Sequence, residues 1–222
     1  FIRLTRFYFR EIVRGVPFLA ITLMGIMLLL VNAWQADKVF DTPVYPVTRV
    51  MMQTVAGSFG LFLLILITFY AGELTWRERT LRLDQVTDAL PVPTTVSILS
   101  KVTAMLLMLL ALNGVLILTG IGVQAAKGYF QFEIPLYLAY FLAYIFPNLV
   151  VLTLTAFFLH AVINNKFIGH TVLILLFISS QTLPLLKLDR HLYRFGSVPN
   201  LTYSDMNGFG PVSYTHLRAH ET

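Results

Sequence analysis

Between residues 102 and 123 the chain carries no charged side chain. A stretch of that length and character constrains the fold more than any motif does. In hydrocarbon every backbone N–H and C=O must be satisfied within the segment, and a helix of about 20 mostly apolar residues achieves this. Four more windows, about 16–34, 50–72, 134–163 and 167–186, meet the same requirement. One such window could be a buried core helix, but five in a chain of 222 residues could not be covered by the polar surface available. Hydrophobic residues make up 57% of the chain and charged residues 12%, about half the charge of an ordinary soluble domain. The pattern predicts an all-α polytopic membrane protein. It excludes a disordered chain, and the absence of cysteine excludes a disulfide scaffold or a thiolate metal site.

Two spans carry internal signals. Pro17 sits in the first turn of the first span, where a missing N–H costs nothing. Pro147 lies near the middle of the fourth span, which is long enough to require tilt, and predicts a kink there. Asn148 beside it is a candidate for more than packing, because the proline frees a carbonyl nearby. The other polar residues within the spans, Asn32, Gln53, Asn113, Ser179, Ser180 and Gln181, are expected to bridge helices. Ala56 with Gly60, and Ala139 with Ala143, offer small faces for close helix contact.

Lys and Arg in the flanks set the orientation. Arg3, Arg6, Arg10, Arg14, Arg77, Arg79, Arg82, Lys101 and Lys166 fall on one side, and Lys38, Arg49, Lys127, Lys187, Arg190 and Arg194 on the other. The N-terminus is therefore expected in the cytoplasm. Its four arginines recur at spacings of three, four and four, along one stripe of a basic amphipathic helix suited to the membrane interface. The formal net charge is +5.

The most informative polar stretch follows the second span. Residues 73–90 read as a short cytoplasmic helix. Glu73 with Arg77, and Glu78 with Arg82, are i,i+4 pairs with the acid first. Trp76, Leu83, Val86 and Leu90 form an apolar stripe, and Pro91 ends the helix. Thr94, Thr95 or Ser97 is available to cap the third span.

This stretch resembles the loop of type-2 ABC transporter (ABC-2) permeases. More narrowly, it is similar to bacterial membrane proteins in which a permease-like region is fused to an M1-type zinc aminopeptidase. The likeness rests on Gly72, Glu73 and Leu74 with Trp76, Arg77, Glu78 and Arg79, and on Asp88 through Pro93. Further support comes from Lys127, Gly128 and Tyr129, from Asn165, Lys166, Gly169 and His170, and from Leu192 through Gly196. Tyr203, Ser204, Asp205, Met206, Asn207, Gly208, Phe209 and Gly210 complete it. The resemblance implies a six-helix permease domain in the bacterial inner membrane. It also implies a separate ATPase subunit gripping the first intracellular loop, and a second permease half as a homodimer or fused repeat. Trp76, Arg77, Glu78, Arg79, Arg82 and Asp84 would form the coupling surface. In the fused proteins the same region would instead anchor a peptidase.

No Gly-x-x-x-x-Gly-Lys-Ser/Thr and no His-Glu-x-x-His occurs, so ATP would be used by a partner and no gluzincin site is encoded. No enzyme activity, resident cofactor or nucleic-acid partner is expected of this chain. His160 and His170 flank the turn at Asn164, Asn165 and Lys166. A metal or haem pair is one reading, ordinary interfacial hydrogen bonding the other. His191 stands alone. Residues 212–222 resemble the read-through of a transposase adapter used in sequencing libraries. The permease-like domain is accordingly expected over 1–210, with 211–222 outside the native chain, five of six helices present and one more to follow.

Overall fold

Apolar runs of this length become helices because hydrocarbon offers the backbone no other hydrogen-bond partner. A computed structural model describes residues 1–35, 38–39, 42–43, 45–80 and 93–182. A first helix, α1 (Ile2–Arg14), breaks at Gly15 and gives way to α2 (Val16–Gln35). Two dipeptide strands, β1 (Lys38–Val39) and β2 (Thr42–Pro43), pair antiparallel in the connection. Then come α3 (Thr48–Thr80) and α4 (Thr94–Ala126). A composite helix follows: α5 (Ile134–Leu138), a π-helical stretch (Ala139–Ile145) and α6 (Phe146–Val162). Helix α7 (Lys166–Thr182) is last among the described residues. Contacts divide the chain into a unit Phe1–Phe177 and a unit Ile178–Thr222.

Four of these segments, Val16–Gln35, Thr48–Arg77, Thr94–Ala126 and Ile134–Val162, are long and apolar enough to cross a membrane. The all-α membrane fold is thus as expected. The described part of the fifth window is shorter: its apolar helix runs Lys166–Ser179, and residues 183–186 lie outside the described residues.

The core forms where α3 and α4 meet their neighbours. Met51, Met52, Val55, Phe59, Leu66 and Ile67 of α3 pack with Met105, Met108, Leu109 and Leu116 of α4, together with Tyr137 and Phe141. Helix α2 packs on α3 through Gly25, where an added Cβ would collide with the ring of Phe59. The outward faces stay apolar, with Leu23, Met24 and Met27 of α2 and Leu154 and Phe158 of α6 exposed, as expected where lipid rather than water is the solvent.

Several local expectations are corrected. The described part of the charged stretch, Glu73 through Thr80, does not start a separate helix. It continues α3 without a break to Thr80, because charged residues end an apolar window but not a helix. Residues 81–92, including Arg82, Leu83, Asp84, Val86, Leu90 and Pro91, lie outside the described residues. Helix α4 starts at Thr94 with Pro93 as its cap; the Pro93 carbonyl accepts the amides of Val96 and Ser97, and no side chain caps it. The irregularity at Pro147 takes the form of the π-helical turn ahead of it, where Phe146 N–H reaches back to the Phe141 carbonyl. Proline supplies no N–H and crowds the preceding turn, and a wider turn relieves both. Asn148 spends its amide on its own helix, donating to the Tyr144 carbonyl at 3.4 Å.

The polar residues bridge less than anticipated. Asn32 does join α2 to α3, donating to Ser58 Oγ at 3.0 Å. Asn113 donates within α4 to the Leu109 carbonyl, and Gln53 is exposed. Ala139, Ala143 and Gly60 face outward, so neither small-residue face forms a close helix contact among the described residues.

The two ends of the bundle are held by different chemistry. At one end buried Gln124 of α4 donates to the Pro46 carbonyl at 2.9 Å and accepts from Tyr137 Oη at 2.9 Å, joining three segments. Lys127 Nζ donates to the carbonyls of Ala33 and Trp34 at 2.8 and 2.9 Å, capping the end of α2. Gly128, at φ +78°, closes α4 with a left-handed turn in which Tyr129 N–H returns to the Gln124 carbonyl. The opposite end carries α1 and most of the charge.

Candidate functional site at the arginine-rich end

The extension of α3 places Glu73, Trp76 and Arg77 at i, i+3 and i+4, so one helix face presents an acid, an indole and a guanidinium. Glu73 and Arg77 were expected to pair with each other. Each is instead drawn to another helix. Glu73 forms an ion pair with Lys166 at the start of α7, and Arg77 forms one with Glu11 of α1. Trp76 Nε1 donates to His160 Nδ1 at 3.3 Å, linking α3 to α6. Three neighbouring residues thus tie the end of α3 to three different helices.

Backbone approach makes this possible. The His160 and His170 rings meet edge to face with centroids 4.8 Å apart. A Cβ on Gly72 would strike the His170 ring, and a Cβ on Gly169 would stand 2.5 Å from His160 Nδ1. Only glycine leaves room for the two imidazoles between α3, α6 and α7. Asn165 starts α7 by accepting the amides of Phe167 and Ile168 on its Oδ1, which fixes Lys166 opposite Glu73.

His160 is buried, at 1% exposure. Because Nδ1 accepts the indole proton, the neutral ring carries its own proton on Nε2, which has no hydrogen-bond partner among the described residues. No group of three or more His, Cys, Asp or Glu side chains that could hold a metal ion occurs among the described residues. The histidine pair is fixed by Trp76 on one side and two glycines on the other.

Helix α1 also docks along α4. Tyr8 lies under Lys101, with the ammonium 5.6 Å from its ring centroid, and Tyr70 Oη donates to the Ile12 carbonyl at 3.4 Å. The expected coupling residues therefore divide. Trp76 and Arg77 are built into contacts between helices. Glu78 and Arg79 lie on the same helix, and Arg82 and Asp84 fall outside the described residues. Pro147 and Asn148 belong to the composite helix and are not part of this cluster.

Sequence reasoning missed Glu11, Lys166, His160 and the two glycines as partners of this segment. Glu11 did leave a signal, as the lone acid among the four arginines of α1. Comparison with known proteins found no matching family model, no matching curated protein and no matching solved structure.

Proposed function

We propose that this chain is the permease-like membrane region of an ABC-2 type export system. In this reading it sits in the bacterial inner membrane with its N-terminus in the cytoplasm. A separate ATPase subunit moves it through the segment after the second span, and it works with a second permease half. One observation carries the reading. Helix α3 runs unbroken out of its membrane span to Thr80, and its end is tied to α1, α6 and α7 through Arg77, Trp76 and Glu73. A partner that displaces this end acts on contacts to three other helices at once, the firmest of them the Trp76 bond to α6. A passive connector would need none of those ties.

In this scheme the docking residues are Arg79 and Arg82, while Trp76 and Arg77 transmit the displacement inward. The test is co-purification from native membranes. Arg79→Glu with Arg82→Glu should strip the ATPase from the chain while helical content and monodisperse elution are retained. Retention of the ATPase by the variant, or its absence from the wild-type preparation, would refute the reading.

The resemblance of residues 203–210 favours a second reading, in which the same helices anchor an M1-type aminopeptidase and move nothing. A His-Glu-x-x-His with a distal Glu in the same reading frame would support it.

A further inference from the structure

Two adjoining cavities flank α1, and their linings differ. One, of about 600 Å³, is lined by Arg3, Arg6, Arg10 and Arg14 of α1 with Arg77 of α3, and Glu11 is its only carboxylate among the described residues. The other, of about 580 Å³, is an apolar groove between α1 and α4 whose walls include Ile2, Phe9, Leu107, Leu110 and Ala111. On α4 it extends from Thr103 to Ala111, about 12 Å of helix. Arg6 borders both cavities.

We propose that this pair of cavities is a binding site for one anionic glycerophospholipid, its phosphate held by the arginines and an acyl chain lying in the groove between α1 and α4. The charge argument is direct. Five guanidiniums face one carboxylate, and that carboxylate is already paired with Arg77. The remaining arginines present forked N–H donors suited to phosphate oxygens, and a headgroup without an amine adds no opposing charge. Basic pockets at the ends of spanning helices are favourable places for such headgroups. The groove decides between lipid and other anions. A free phosphate or an acidic peptide would use the arginines and leave the apolar wall uncovered. Leu107 and Leu110 are exposed on a helix long and apolar enough to cross a membrane, a surface suited to an acyl chain. Arg6, at the border, can lay its methylene stem on the groove and turn its head to the phosphate.

The test titrates the full chain in detergent with phosphatidylglycerol, phosphatidylcholine or soluble glycerol phosphate, with bound lipid counted by native mass spectrometry. Phosphatidylglycerol should bind at least about tenfold more tightly than phosphatidylcholine. Arg3→Gln with Arg10→Gln should remove that preference, and Arg3→Lys with Arg10→Lys should restore part of it. Ala111→Phe, on the exposed side of α4, should weaken the lipid while leaving the weak binding of glycerol phosphate unchanged. Equal binding of the two lipids would overturn the proposal. So would glycerol phosphate or an acidic peptide binding as tightly as phosphatidylglycerol, or Ala111→Phe having no effect on the lipid.

Discussion

Gly169→Ala tests whether the histidine cluster is held by shape. The new Cβ would stand 2.5 Å from His160 Nδ1 and 2.7 Å from its Cε1, where contact normally needs more than 3.4 Å. His160 is buried and cannot swing into solvent. Overpacking of this kind costs about 1–3 kcal/mol. The atom struck is the acceptor for Trp76, so relief by ring rotation forfeits a hydrogen bond worth about 0.5–1.5 kcal/mol. Alanine gives back up to about 1 kcal/mol of helix propensity. The net expectation is a loss of about 1–3 kcal/mol, read as a lowered unfolding midpoint in mixed micelles, with a shift in Trp76 fluorescence in a Trp34→Phe background. Gly114→Ala is the control. Its Cβ meets nothing within 4 Å, so only the propensity remains and the midpoint should stay or rise. Equal midpoints for Gly169→Ala and Gly114→Ala, with unchanged emission, would refute the argument.

The opposite end should respond to loss of polar satisfaction rather than to crowding. Tyr137→Phe leaves the Gln124 Oε1 buried without its donor and should lower stability by about 1–3 kcal/mol in the same unfolding assay; a change within error would show that Gln124 finds another donor. Topology is testable because the chain has no cysteine. Single cysteines at Arg3 and Lys127 should label from opposite faces in intact cells, and labelling of both from one face would contradict the alternating order of α2, α3 and α4.

Much of the fold was legible because the requirement behind it is simple. The first window, 16–34, became α2 (Val16–Gln35), and 134–163 became the composite helix ending at Val162. The helices α3 and α4 both outrun the apolar windows 50–72 and 102–123, though Thr94 was already among the expected starts of α4. Hydropathy marks where lipid ends, while the helix runs on to Thr80 in one case and begins at Thr94 in the other. The π-helical turn was not legible, since its register depends on how the strain at Pro147 is relieved. Nor was the site. Trp76 and His160 meet across 84 positions of sequence, and Glu73 and Lys166 across 93. A local i,i+4 rule naturally assigned Glu73 to Arg77. In the fold each has an oppositely charged partner on another helix, where the exchange also joins two helices.

The contrast between the ends bears on how such a bundle could move. Around Gln124 the ties are neutral hydrogen bonds among fully buried groups, each costly to break because its partner is left without water, with the charged Lys127 bonds to the end of α2 beside them. Around Glu73 and Arg77 the ion-paired side chains are between 21% and 52% exposed. Pairs that water can reach contribute about 0–1 kcal/mol, because solvent replaces whatever is lost. The Trp76–His160 bond is the exception, and its geometry is set by glycine packing rather than by charge. A force applied beyond Thr80 therefore meets weak, replaceable contacts at α1 and α7 and one rigid contact at α6. It would shift α3 and α6 together before it disturbed the far end. That asymmetry is the mechanical arrangement the proposed coupling requires. It makes Trp76, rather than the charges beside it, the residue whose loss should uncouple α6 from the end of α3.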